Sequence, residues 1–341
     1  MDSDNRQLFG PVSQGIDEDS LSNCRAAITT AGGVYYGYHN ALFAARNVPM
    51  YPAVGDHELL DDRHGPLNSR WSPSGYHDGT PDNRYYLVEH CKNVWADHHT
   101  KSGPAPAYPH RPVGSAHEFT AYRVDLGPAL TLITVDMFHV HPGGVRLGVF
   151  GPQLRWLDHE IRRAKSVGRV VIVQGHIPVL TPYRLFHSGN LHVPEGANSA
   201  FYRVLDGAGA DFFFCGEVHD STLQKLPGGP VQLSHGCAYK FGFNFVIGKV
   251  YPGQRVTLDL YEIPLIGVSG DKAFWQTAAG KRTNSAIEYG APARAGTVAT
   301  VGRRVTRCTG KLGHYNPAND PYASSRQLDV PTPVAQPAPA T

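Results

Sequence analysis

Pro49-Met-Tyr-Pro-Ala-Val-Gly-Asp-His-Glu58 runs apolar and then breaks into three adjacent ionisable residues, Asp56, His57 and Glu58. The run reads as a buried strand, and Gly55 lets the backbone turn sharply where it ends. α/β sheets hold their chemistry at strand carboxyl ends, so these side chains stand where a site is expected. Two further stretches repeat the pattern. Val170-Val-Ile-Val-Gln-Gly175 stops at His176, and Asp211-Phe-Phe-Phe-Cys-Gly216 stops at Glu217-Val218-His219-Asp220. A spacing of two directs Glu217 and His219 to one side if strand geometry persists. Together the tips offer Asp56, His57, His176, Glu217 and His219, a nitrogen and oxygen set suited to zinc, manganese or iron. One histidine after a strand is ordinarily a hydrogen-bonded loop residue. Three such tips in one chain point to a shared metal site.

In order and character the tips resemble the motifs of the calcineurin-like metallophosphoesterases, in the purple-acid-phosphatase and cyclic-nucleotide-phosphodiesterase branch. That family's pattern runs DxH, GDxxD, GNH(D/E), a lone His after a strand, and GHxH. Here Gly55-Asp-His-Glu58 looks like GNH(D/E), Gly175-His176 like the lone-His motif, and Gly216-Glu-Val-His219 like GHxH. The strand Leu130 to Asp136 and the "QLxWL" helix after Pro152 fall in the family's order, and the resemblance covers about residues 30 to 263. It implies an α/β fold, a β-sandwich of two mixed sheets flanked by helices. It also implies hydrolysis of a phosphate mono- or diester by a metal-activated water, with up to two divalent metal ions and a small phosphoester substrate. Asp56, His176, Glu217 and His219 would hold metal. His57 would be the general acid, with Glu58 orienting its imidazole.

Asp56 stands where the family has Asn, and Glu217 where it has the first His of GHxH. Both changes favour oxygen-preferring ions, so manganese, iron or magnesium is expected over zinc. Neither DxH nor GDxxD is found upstream, and residues 1–48 are too few to hold both with their strand and helix. Asp2 or Asp4 is a candidate remnant ligand. By the resemblance, one metal would keep only His219, and the other Asp56, His176 and Glu217. An inactive relative, a scaffold kept for binding or assembly, is the alternative to the enzyme, unless upstream sequence carries the missing motifs. A mononuclear zinc hydrolase using His139 and His141 is a third reading.

Composition bounds these readings. The 341 residues are 41% hydrophobic and 18% charged, enough apolar material for a substantial core. A net charge of +2 gives no sign of a broad nucleic-acid surface. No apolar run approaches the ~20 residues that span a bilayer, and the acidic start Met1-Asp-Ser-Asp-Asn is not a signal peptide. Compartment and oligomeric state are open. The five cysteines include no CxxC pair, and Cys215 and Cys237 read as reduced core residues.

Residues 1–263 are expected to form the main domain, 264–314 an extension and 315–341 a Pro-rich extended tail. Within the domain, 40–46 reads as a short helix. Residues 60–118 read as a long loop over the site, with a helix near 85–96. Residues 121–126 and 129–136 read as a hairpin turning at Gly127-Pro128. The helix after Pro152 would bury Leu154, Leu157, Ile161 and Ala164 and leave Asp158, Glu160, Arg162 and Arg163 in solvent. Strands near 231–235, 243–247 and 255–263 would complete the second sheet, with the pattern loosening after Pro264. Three histidines are candidates for contact with substrate: His139 in the loop after Asp136, His187 near the entrance, and His235 beside the third tip. His192 shares the loop of His187, while His64, His98 and His99 read as loop residues.

Overall fold

The computed structural model describes residues 21–59, 84–101, 108–141, 144–181, 191–218, 222–234, 243–251, 255–263, 265–269, 286–301 and 305–308. The proposed tail 315–341 lies outside them. Helix α1 spans Leu21–Ala44, much longer than the short helix expected at 40–46. It buries Ile28, Ala31 and Tyr36 against α2, Arg84–Ala96, which contributes Val88, Cys91 and Trp95. A Cβ at Gly32 would stand 2.4 Å from a methyl of Val94, so the crossing needs glycine there.

Pro49 to Val54 is not a strand. Among the described residues it has no ladder partner, because Pro49 and Pro52 lack N–H donors and side chains take its carbonyls. Gln174 Nε2 donates to the Tyr51 carbonyl at 2.7 Å, and the Tyr122 hydroxyl to the Pro52 carbonyl at 2.6 Å. The segment is pinned by tertiary contacts and ends in a 3-10 turn, His57–Leu59.

After α2 and a π-helical turn, Asp97–Lys101, the strands follow: β1 Tyr122–Leu126, β2 Leu130–Thr134, β3 Phe138–His141 and β4 Gly144–Leu147. Then come α3 Gly151–Ser166, β5 Val170–Gln174, α4 Ala200–Ala208, β6 Phe212–Cys215, β7 Thr222–Lys225 and β8 Val231–Ser234. The remainder is β9 Phe243–Tyr251, β10 Arg255–Ile263, β11 Leu265–Ser269, β12 Ala286–Tyr289, β13 Ala293–Val301 and β14 Val305–Cys308. Among the described residues one sheet has six strands in the order β1-β2-β5-β6-β8-β7, and a second has four in the order β14-β13-β10-β9. β2, β5, β6 and β8 run parallel, with antiparallel β1 and β7 at the edges.

The fold is mixed α/β, with helices and a second sheet covering the first. Alternation along each central strand divides its side chains between two cores. Val171, Val173 and Phe213 join the helix-side core with Leu157, Ile161 and Leu205. Val170, Ile172, Phe212, Val231 and Leu233 meet Val256, Leu258 and Leu260 of β10. A strand apolar on both faces reads as one unbroken run, which is why these stood out. Each such side chain contributes about 1.5–3 kcal/mol by leaving water.

Four expectations are corrected. The second sheet is antiparallel, not mixed. β8 belongs to the first sheet, between β6 and β7. The chain beyond Pro264 returns to strand and supplies β13 and β14 to the second sheet. Glu160 is buried, held by an ion pair of 2.6 Å to buried Arg123 of β1, while Leu154 is only half-buried and Gln153 points inward in its place. The β1–β2 hairpin forms as read, turning at Gly127 with φ 73°. Cys91 and Cys215 are free thiols in the core; Cys237 is outside the described residues. Among the described residues no helix is long and apolar enough to cross a membrane.

Candidate functional site

Register brings three strand ends level: Thr134 pairs with Gln174, and Gln174 with Phe214. Just beyond these ends the chain leaves the sheet, so Asp136, His176 and Glu217 collect along one edge. The pinned segment brings Asp56 to the same place. His176 Nε2 lies 2.9 Å from Asp56 Oδ1 and 3.1 Å from Glu217 Oε2. Ligand atoms of the three residues lie within 4.8 Å of one another. Both carboxylates are essentially out of solvent, at 0% for Asp56 and 2% for Glu217. Burial alone would lower the His176 pKa, but hydrogen bonds and charge from Asp56, then Glu217, overcome it and raise the value to about 10.

An imidazolium N–H between two carboxylates is the arrangement a divalent cation replaces when it displaces that proton. The donors fit such an ion in chemistry, one imidazole nitrogen with two carboxylates, and in charge. The His176 ring is packed closely on both sides. A Cβ at Gly55 would sit 3.1 Å from its Nδ1, and one at Gly216 3.0 Å from it, so two glycines wall the ring. Phe138 lies beyond, its ring centroid 6.2 Å away.

The glycine before each tip therefore does a different job from the one read in the sequence. Gly55, Gly175 and Gly216 are absent from the positive-φ glycines; they are needed because neighbours come too close for a Cβ, the Met137 sulfur lying 2.5 Å from one at Gly175. The left-handed residue is Glu217, with φ 62°, under an i to i+2 hydrogen bond of 2.7 Å from Val218 N to the Gly216 carbonyl. Strand geometry ends at Glu217, so the condition on which the expected spacing of two rested is not met there. An L-residue in this region is strained, by about 1–3 kcal/mol, and such strain concentrates at functional positions.

His219, His187, His235, Asp2 and Asp4 lie outside the described residues, as does the side chain of His57. Glu58 Oε2 accepts the Gly55 N–H at 2.9 Å, bracing the turn that presents Asp56. His139 is in strand β3, not in a loop. His99 is packed edge-on to Tyr36 and against Trp95, and burial lowers its pKa to about 4; His192 is half-buried.

The sequence reading did not anticipate a second buried polar cluster around Asp136. Its Oδ2 lies 2.7 Å from Lys92 Nζ and 3.0 Å from His117 Nδ1, and accepts the Thr120 hydroxyl at 2.6 Å. Oδ1 accepts the Phe138 N–H at 2.9 Å, and Lys92 also donates to the Phe138 carbonyl. Gln153 bridges the Asp136 backbone with two bonds of 2.9 Å. The available signal was Asp136 itself, a charge closing the apolar run of β2 as His176 closes that of β5.

No protein-family model matches the chain, and no curated protein matches it. Among solved structures, a dimetal phosphatase from Danio rerio is similar at a TM-score of 0.35 and 14% identity, over 41% of this chain and 56% of that one. A structure described as a 5′-nucleotidase from Staphylococcus aureus is similar at a TM-score of 0.25 and 10% identity, over 58% of this chain and 31% of that one. The chain thus spans about half the length of the first of these structures and less of the second.

Proposed function

We propose that Asp56, His176 and Glu217 form a divalent-metal site for hydrolysis of a phosphate mono- or diester, with a small phosphoester as substrate. One observation carries the reading: two buried carboxylates converge on a single imidazole nitrogen at 2.9 and 3.1 Å. A bound ion would offset charge on the phosphoryl oxygens and lower the pKa of a water. The residues supply the rest. His176 gives up its Nε2 proton, the carboxylates offset the cation's charge, and their oxygens favour manganese, iron or magnesium over zinc. Glu58 holds the turn on which His57 stands beside Asp56, and His57 is the proposed general acid. His219, with Asp4, would serve a second ion, and His187 and His235 would contact substrate.

A non-catalytic scaffold is the second reading. It is favoured by the fact that among the described residues only one cluster of three metal-capable side chains occurs. Elemental analysis of the purified chain, with hydrolysis of p-nitrophenyl phosphate and its bis-ester, separates the two. The enzyme reading expects metal in the wild type, its loss in Asp56→Asn and His176→Ala, and slow turnover with metal retained in His57→Ala. Metal without hydrolysis of either ester favours the scaffold. A chain that takes up no metal overturns the site itself.

A further inference from the structure

Helix α2 touches both arms of the proposed metal site. It packs against the turn His57–Leu59, with Leu59 fully buried in the same core as Val88 and Cys91. That turn follows Asp56, whose carbonyl accepts the Leu59 N–H at 2.9 Å. Lys92, next in the chain to Cys91, reaches from the same helix to the end of β2 and the start of β3. Its ammonium lies 2.7 Å from Asp136 Oδ2 and also donates to the Phe138 carbonyl.

Phe138 is held at both of its backbone polar groups. Its N–H donates to Asp136 Oδ1 at 2.9 Å, and its carbonyl accepts from Lys92. The hairpin's own bond runs through the preceding residue, where the Gly148 N–H donates to the Met137 carbonyl at 2.8 Å. His117 ties the cluster to the next residue of β3, its Nε2 lying 3.1 Å from His139 Nδ1. The segment fixed in this way borders the metal site. The buried Phe138 ring is centred 6.2 Å from the His176 ring and tilted by 32° to it. The Met137 sulfur crowds the place that a Cβ would take at Gly175, the residue before His176.

A buried ion pair is a poor device for stability alone, since well-packed apolar residues of similar volume often serve as well. Fixing one arrangement of the chain is its better-attested use. An apolar pair here would fill the space but leave the Phe138 carbonyl without the Lys92 donor. We propose that Lys92 is a positioning residue for the metal site. Its bonds hold Phe138 against the His176 ring while its helix holds the turn that presents Asp56, so α2 sets the separation of the two ligands. The role in metal binding rests on the reading of Asp56, His176 and Glu217 as ligands; the placement of the His176 ring does not.

The test uses the full chain with both charges removed together, as Lys92→Met with Asp136→Asn, so that no carboxylate is left buried without its cation. Manganese affinity is read by calorimetric titration and stability by urea unfolding. The His176 ring protons of chelator-treated protein are followed by NMR, assigned from His176→Ala. The expected result is stability close to wild type, manganese bound about tenfold or more weakly, and His176 signals displaced. Leu258→Ala, which opens the core between the sheets, should be less stable yet keep manganese affinity and His176 signals at wild-type values. A double variant with wild-type manganese affinity, or with its His176 signals in place, overturns the proposal. Equal changes in Leu258→Ala overturn it as well, since any loosening of the fold would then suffice. If the double variant does not fold, Phe138→Leu gives the same two readings with an apolar side chain kept, and unchanged values there overturn it. A wild-type chain that takes up no manganese removes the metal reading, and the His176 signals then decide alone whether Lys92 positions the ring.

Discussion

Replacing Lys92 with Met tests whether the Asp136 cluster is a true buried ion pair. Lys92 is 3% exposed and Asp136 0%, and their atoms are 2.7 Å apart. Met keeps most of the aliphatic packing but leaves a carboxylate buried without its cation, a change that costs about 3–5 kcal/mol in comparable settings. His117, Thr120 and the Phe138 N–H still donate to Asp136, which argues for the low end, about 3 kcal/mol. Against a total stability of about 5–15 kcal/mol, the loss is readily measured by urea unfolding at pH 7. The pH dependence adds a sign. Burial alone would raise the Asp136 pKa, but Lys92 first and His117 next hold it well below the usual carboxylate range. A depressed carboxylate contributes stability above its unfolded pKa of about 3.9 and loses it as pH falls through the folded value. In Lys92→Met the depression is largely gone, so Asp136 protonates earlier and the gap between variant and wild type narrows as pH falls below about 5. Asp136→Asn in the Lys92→Met background should recover much of the loss. A cost under about 1 kcal/mol at pH 7, or a gap that widens on acidification, would refute the reasoning.

Gly216→Ala should weaken metal affinity by about tenfold or more, because the new Cβ presses on His176 Nδ1 from 3.0 Å; calorimetric titration with manganese checks this, and unchanged affinity would mean the ring yields freely. Glu160→Gln weakens the 2.6 Å pair with Arg123, which keeps Asp125 as a partner, so a loss of about 2 kcal/mol is expected in urea unfolding. Leu258→Ala opens a hole between the two sheets, where the side chain is 1% exposed; it should cost about 2–5 kcal/mol while leaving metal affinity intact. Equal loss of metal affinity would show that the inter-sheet core and the site are coupled.

Strands β2, β5, β6 and β10 were legible because local pattern and tertiary environment agree on them. The parallel ones are apolar on both faces and β10 alternates, so their type follows from their own residues. His176 and Glu217 were found for the same reason, as polar breaks in those runs. Residues 49–54 misled because proline, tyrosine and valine there resemble a strand, while their fate depends on Gln174, 123 positions away. Glu160 was placed in solvent because helical periodicity puts it beside charged neighbours, and nothing local reveals an arginine in β1. The cluster of Lys92, His117, Asp136 and His139 was missed because its members come from a helix, a turn and two strand ends, with no spacing that links them.

What this sequence determines by itself is the series of buried parallel strands and the polar residues at their ends, because apolar periodicity and glycine placement are local properties. The tertiary structure decided which of those ends meet. It set the register that levels β2, β5 and β6, drew Asp56 in through side-chain bonds to backbone carbonyls, and turned Glu217 toward His176 through a left-handed backbone. It also closed the second sheet with strands from beyond Pro264. The physical reason is that convergence of side chains depends on contacts between residues far apart in the chain, and those contacts leave no periodic trace in the segments they join.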